Sequence, residues 1–343
     1  MKAMIGLVVL WMCPRSVSSF SIPKSKLGTL GHERVASTQG VGRGCTAPLQ
    51  AIPVEVATCL LPTCGGYFSR EFGVSYAYGA ATSLTAWFVL RRKILAVTNP
   101  SKWVTWHAAA VIFYGIRLSA FLLYRQQNSK RIKEMQEKIE QRAVSSGSRL
   151  SRTPFVLSCA YLYYGLCAPL NLSALMATRS FGNLDMIFKG LVAMTWLGFL
   201  VAALGDFTKS FIKARKGEDH LVTGGIFRFL RHPNYTGEMI GWTSSGLAGL
   251  VAFISLNQFK RPLPWFYLAS NALGVVGINF VLLLATRNLE RRQAERYGGQ
   301  EVYRNWVSKS WAGFSLAEKK VNDGESHHPE ATDEIEEDKG SGI

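Results

Sequence analysis

The stretch MIFKGLVAMTWLGFLVAALG, from Met186 to Gly205, holds 20 residues and one ionisable side chain, Lys189. A helix of about 20 such residues crosses the hydrocarbon core of a bilayer. Lys189 sits near the start, where its long stem lets the ammonium reach the polar interface. Runs of the same character extend from Phe72 to Leu90, Trp103 to Tyr124, Phe155 to Thr178, Met239 to Leu256 and Trp265 to Thr286. Together they predict an all-α fold, a polytopic membrane bundle of about six transmembrane helices. Within the second run His107 and Arg117 are costly to face toward lipid, so Arg117 belongs on the bundle interior.

The chain has 343 residues, 48% of them apolar, and a formal net charge of +16. That charge also suits a basic soluble protein. The basic residues, however, lie in connections between apolar runs and form no aromatic and basic stripe, so no nucleic-acid partner is expected. Counting alternate crossings puts the most basic connection, Arg125 to Arg152, on the same side as Asp206 to Gly237 and the segment after Arg287. The positive-inside tendency turns that side toward the cytoplasm, or toward the stroma of a plastid. The cluster Arg91, Arg92, Lys93 falls on the other side and counts against this orientation. Between Arg125 and Arg142, Ile132, Met135 and Ile139 recur at helical spacing among Lys and Glu residues that pair across a turn, which reads as an interfacial or solvent-facing helix.

Three stretches are distinguished along the chain. Residues 1–52 read as a leader: Lys2, an apolar core from Ile5 to Met12 and small residues before Phe20 form a signal peptide, followed by a basic, Ser- and Thr-rich transit-like segment. The junction Val17 to Pro23 resembles the signal-plus-transit leader of algae with complex plastids. An ordinary secretory signal with a linker is the competing reading, which would leave the protein in the endoplasmic reticulum. Residues 53–316 form the membrane-embedded unit. Residues 317–343, with Asp333, Glu334, Glu336, Glu337 and Asp338 close together, read as an acidic disordered tail. The cysteines, Cys13, Cys45, Cys59, Cys64, Cys159 and Cys167, have neither paired CxxC spacing nor a matching set of histidines, so no metal site is expected. Nothing in the spacing of Cys59 and Cys64 gives a geometric reason for a disulfide.

The chemistry concentrates between the fourth and fifth runs. Asp206 and Lys209 follow the fourth run, and then Gly224 to Glu238 gathers Arg228, Arg231, His232, Asn234, Tyr235 and Glu238 at the mouth of an apolar helix. Pro233 disfavours helical geometry at His232, and Gly224, Gly225 and Gly237 permit close backbone approach to a ligand. The arginines and the histidine suit phosphate or carboxylate, Asn234 and Glu238 a ribose or an amide, and Tyr235 and Trp242 an aromatic ring. Interface anchoring accounts for the arginines and aromatics singly, but not for His232, Asn234 and Glu238 together. After the sixth run Arg287 and Glu290 stand one helical turn apart on the same side.

Four segments carry a resemblance: Tyr114 to Leu118 with Tyr124 and Arg125, Gly205 to Lys209 with Phe211 to Lys213, Thr223 to Trp242, and Leu289 and Glu290 through Tyr297, Gly298 and Tyr303. On these the chain resembles the membrane family that carries the steroid 5-alpha reductase C-terminal domain, in its broad uncharacterised branch. The resemblance implies an oxidoreductase that uses NADPH to reduce a carbon-carbon double bond of a lipid, sterol or isoprenoid-like. It also implies that Asp206, Asn234, Glu238 and Arg287 fall at cofactor positions. The candidate cofactor set is therefore Asp206, Lys209, Arg228, Arg231, His232, Asn234, Tyr235, Glu238 and Arg287. No catalytic residue is assigned; Tyr76, Tyr78, Tyr114, Tyr161, Tyr163 and Tyr164 are candidate proton donors for which packing is the commoner role. Arg231, His232, Pro233, Tyr235 and Gly237 also resemble lipid and prenylcysteine methyltransferases, which use S-adenosylmethionine. Glu290 followed by Arg291 departs from their paired acids. A non-enzymatic membrane protein on the same fold is the third reading.

Overall fold

The computed structural model describes residues 52–314 apart from 70, 129–132, 135–136, 139–140, 142–148 and 258. The leader and the acidic tail expected from the sequence lie outside the described residues. Eight helices are named here: α1 (Ile52–Thr63), α2 (Ala77–Val89), α3 (Lys102–Asn128), α4 (Thr153–Leu175), α5 (Asp185–Lys216), α6 (Pro233–Leu256), α7 (Pro262–Tyr297) and α8 (Glu301–Lys309). Five of them, α3 to α7, are long and apolar enough to cross a membrane. That is one fewer than the six runs read from the sequence: the run from Phe72 falls on α2, which π turns at Phe72–Tyr76 and Leu90–Ile94 extend at both ends without making it one of the five. The wide first turn leaves carbonyls free, and the Tyr163 hydroxyl donates to two of them, Gly73 O at 3.1 Å and Val74 O at 2.8 Å. The bundle is thus the all-α, polytopic arrangement expected.

Helix α1 is too short for the hydropathy pattern to reveal. It carries Glu55, buried at 2% exposure, which meets Lys93 Nζ at 2.6 Å and accepts from Asn171 Nδ2 at 2.9 Å. Lys93 also donates to Asn171 Oδ1 at 2.6 Å. Of the three cations that counted against the orientation, one is therefore turned inward and neutralised. Arg91 and Arg92 lie over the rings of Trp87 and Phe88. His107 is likewise withdrawn from lipid, with Nδ1 and Nε2 at 3.0 and 2.9 Å from the hydroxyls of Ser173 and Ser245. Cys59 and Cys64 are free thiols, and Cys59 is buried against the Thr85 hydroxyl at 3.2 Å. Between 125 and 142, Lys133, Glu134, Glu137, Lys138 and Gln141 are helical and exposed, whereas Ile132, Met135 and Ile139 are outside the described residues.

Inside a membrane the helices gain little from apolar burial alone, so close backbone packing takes over. The packing of α5 on α6 is the closest case. A Cβ at Gly198 would sit 2.4 Å from Gly241 N, and one at Gly237 only 2.5 Å from Ala202 N and Gly198 O. Gly237 therefore admits a neighbouring helix, not a ligand as the sequence reading had it. Pairs Gly79 with Gly115 and Gly165 with Gly274 join α2 to α3 and α4 to α7 in the same way. Aromatic side chains fill the centre, with Tyr114, Phe199 and Trp242 mutually packed at ring separations of 4.5–5.0 Å.

Candidate functional site

Because α5 and α6 touch along their glycines, Asp206 and Glu238 are brought side by side, and α3 supplies the cation between them. Arg117 Nη1 donates to Asp206 Oδ2 at 2.6 Å, and its Nη2 stands 3.6 Å from Glu238 Oε1. The guanidinium lies 4.8 Å from the centre of the Tyr114 ring on the same helix. All three ionic side chains are about nine-tenths withdrawn from solvent. Lys209, one turn along α5 and half-buried, and Arg125, two turns along α3, act electrostatically on Asp206 from the outer side. Tyr235 is half-buried within the fields of Glu238, Asp206, Arg125 and Arg292. Asn234 is half-buried in the first turn of α6, and its backbone nitrogen abuts Gly205.

A second cluster lies at the N-terminal end of α6, around His232, the residue just before Pro233. His232 Nε2 is 2.6 Å from Glu290 Oε1, and Arg231 Nη1 is 3.3 Å from Glu290 Oε2. A carboxylate only accepts, so His232 must carry its proton on Nε2 in this contact. Glu290 reaches in from the end of α7, while Arg287, one turn earlier, is exposed. Arg228 is exposed as well, with its guanidinium at 6.0 Å from the Phe229 ring.

The loop that holds Arg231 and His232 is clamped by α8 and the residues just after it. Trp311 N donates to Phe229 O at 2.9 Å, Arg231 N donates to Trp311 O at 2.9 Å, and the Trp306 indole donates to Phe227 O at 2.6 Å. Tyr303 and Trp306 of α8 pack on Leu221. Arg296 pairs with Asp219, and the Tyr297 hydroxyl donates to Asp219 O at 2.9 Å, which ties the end of α7 to the same loop. Gly225 has a positive φ of 62° and makes the turn that glycine tolerates best.

A family model described as "Protein of unknown function (DUF1295)" matches residues 74–310. The chain belongs to the DUF1295 family. No curated protein and no solved structure matches it. The DUF1295 match begins in the π turn before α2 and ends just past α8, so it takes in both polar clusters and Trp306 of the clamp but not Trp311.

Of the nine residues singled out in the sequence, Asp206, Lys209, Tyr235 and Glu238 share the inner cluster, with Asn234 beside it, and Arg231 and His232 form the outer one. Arg228 and Arg287 stand outside both. Within the DUF1295 region, the sequence reading assigned Arg117 to the interior but not to this site, and it left Arg125 unremarked as a site residue. The signal for Arg117 was present, since a lone arginine within an apolar run requires an anionic partner. Trp242, read as a stacking surface for a ring, is fully buried among Tyr78, Tyr114 and Phe199.

Proposed function

We propose that this protein is an integral membrane oxidoreductase that reduces a carbon-carbon double bond of a lipid, sterol or isoprenoid-like, with NADPH. One observation carries the reading. Among the described residues around the two clusters, the cations Arg117, Arg125, Lys209 and Arg231 act on the carboxylates Asp206, Glu238 and Glu290. Positive charge is in excess, as a phosphate-bearing ligand requires, and the carboxylates set deeper in suit ribose hydroxyls or an amide. The buried Nε of Arg231 and Nε of Arg117 have no hydrogen-bond partner among the described residues, so the donors that such a ligand needs are not already spent.

In this reading the cofactor supplies a hydride. Arg231, Lys209 and Arg125 hold its anionic end toward the outer cluster, and Glu290 fixes Arg231 and His232 in place. Arg117, clamped between Asp206 and Glu238, bridges the two carboxyl groups within an apolar bundle. Asn234 and Glu238 orient the inner part of the ligand, and the helices on either side exclude water. The resemblance to the steroid 5-alpha reductase C-terminal domain supports the same assignment.

A methyltransferase using S-adenosylmethionine is the second reading, on the resemblance of Arg231, His232, Pro233, Tyr235 and Gly237, from which Glu290 followed by Arg291 departs. The excess of cations weighs against it, because S-adenosylmethionine carries a sulfonium charge. Binding of NADPH, NADH and S-adenosylmethionine to the detergent-solubilised full chain decides between them, with His232→Ala and Asp206→Ala as controls. NADPH should bind saturably, more weakly in both variants. Saturable S-adenosylmethionine binding without NADPH binding would sink the reductase reading. We assign the protein to a plastid membrane, with the endoplasmic reticulum as the alternative; a reporter bearing residues 1–52 that stays in the endoplasmic reticulum would overturn this.

A further inference from the structure

The amide side chains of the crossing helices are mostly turned inward. Asn171 of α4 is buried, and so is Asn271 of α7, whose Nδ2 donates to Gly246 O at 2.9 Å. Asn279, two turns further along α7, reaches the outer surface instead and is only half-buried. Its Nδ2 donates to Val275 O at 2.8 Å and to the hydroxyl of Thr243 on α6 at 3.1 Å, which spends both amide protons. Thr243 is exposed. Two groups are left over, the Asn279 Oδ1 acceptor and the Thr243 hydroxyl proton, and neither has a partner among the described residues. By helix rise Asn279 stands about 21 Å beyond Trp265 and about 12 Å short of Arg287, so the surface it reaches is hydrocarbon. A donor and an acceptor left unpaired there find no water to complete them.

A donor beside an acceptor is its own complement under a two-fold rotation. Copies of one chain insert into a membrane with the same orientation, so a two-fold axis that relates them runs along the membrane normal and brings equal depths together. Thr243 of each copy then donates to Asn279 Oδ1 of the other, and nothing is left unpaired. The surface around the pair suits such a contact. Ala269, Ala272 and Val276 are exposed on α7, and with Asn279 they are spaced three, four and three residues apart, the repeat of a parallel helix seam in which a single asparagine fixes the register. The alanines let two helix backbones approach closely, as packing within a bilayer needs. On α6 Leu247, also exposed, continues the face beyond Thr243. We propose that the α6 and α7 face is a contact between two copies of this chain, joined by reciprocal hydrogen bonds of Thr243 and Asn279. The assignment stands on the outward polar pair and is independent of the reductase reading.

The test labels the full chain in separate batches with a donor and an acceptor dye, mixes them in phosphatidylcholine vesicles over a series of protein-to-lipid ratios, and reads association as energy transfer. The unmodified chain should show one dimerisation midpoint on dilution. Asn279→Leu and Thr243→Val each remove both reciprocal bonds and should move that midpoint to about tenfold higher density, two hydrogen bonds at the modest worth they have in a membrane. Ala272→Trp should abolish transfer through its bulk, whereas Met194→Trp, on an exposed position of α5, should leave it unchanged. Size-exclusion profiles select the variants that remain folded, so loss of one leaves others to carry the comparison. Transfer no greater than that of randomly placed monomers at every ratio would overturn the proposal. So would a midpoint that neither Asn279→Leu nor Thr243→Val moves. A monomeric chain with a co-purified lipid that Asn279→Leu loses, read by mass spectrometry, would give the polar pair to that lipid and refute the dimer.

Discussion

Replacing Arg117 by methionine removes the one cation that sits between Asp206 and Glu238. The side chains of Arg117, Asp206 and Glu238 are 11, 10 and 9% exposed, so water cannot take the place of the guanidinium. Removing one partner of a buried ion pair costs about 3–5 kcal/mol, because the remaining charge is left uncompensated. With about 2–4 °C of melting temperature per kcal/mol for a folded unit of this size, the expected fall is roughly 6–20 °C. The pair Lys189 and Asp185 is the internal standard, at 34 and 39% exposure. Such a pair contributes about 0–1 kcal/mol, and Lys189→Met should shift melting by about 0–4 °C. Tryptophan fluorescence of the full chain, melted in one detergent with no nucleotide added, reads both. Adding Asp206→Asn and Glu238→Gln to Arg117→Met should recover much of the loss, since the stranded charges are then gone. If Arg117→Met melts no lower than Lys189→Met, the inner cluster is not the buried pair described above.

Other perturbations test separate parts of the molecule. Gly237→Ala places a Cβ 2.5 Å from the backbone of α5 and should cost about 1–3 kcal/mol, seen as a loss of monodisperse protein on size exclusion. Lys209→Ala should weaken NADPH about tenfold, whereas Arg228→Ala and Arg287→Ala should change it less than about twofold, in equilibrium titrations at one salt concentration. Glu55→Gln should lower the melting temperature by the equivalent of about 1–3 kcal/mol, below the full cost of a buried pair because Lys93 keeps 21% of its side chain exposed. Trp306→Phe loses the 2.6 Å bond to Phe227 O, worth about 1 kcal/mol, and should speed amide exchange in Phe227 to Leu230 while the bundle amides stay protected.

The crossing helices were legible because a bilayer demands about 20 consecutive apolar residues, a pattern that survives without knowledge of neighbours. Helix α1 was not, since 12 residues with Glu55 among them satisfy no such rule; its burial depends on Lys93 and Asn171, which come from elsewhere in the chain. For charged residues the sequence told that a partner was required but not which one. Arg117 was rightly turned inward, yet its meeting with Asp206, 89 positions away, is set by the contact of α5 with α6. Arg287 and Glu290 were read as a pair one turn apart; instead Glu290 turns to Arg231 and His232 and Arg287 points away. Gly237 shows the same limit, for a glycine announces close approach without saying whether a ligand or a helix makes it.

The glycine contacts also divide the bundle mechanically. Three helix pairs, α2 with α3, α4 with α7 and α5 with α6, are welded backbone to backbone and cannot separate without losing contacts that no side-chain rotation replaces. The seam of α3 with α5 is made of long side chains instead, with Trp106, Phe113 and Arg117 of α3 against Trp196 and Asp206 of α5. Rotamers turn at less cost than backbones separate, so this seam is the softer joint of the two kinds. On the proposed lipid-reductase function, the substrate's path from the membrane is this seam, and the bulk of its side chains then sets how wide a molecule passes.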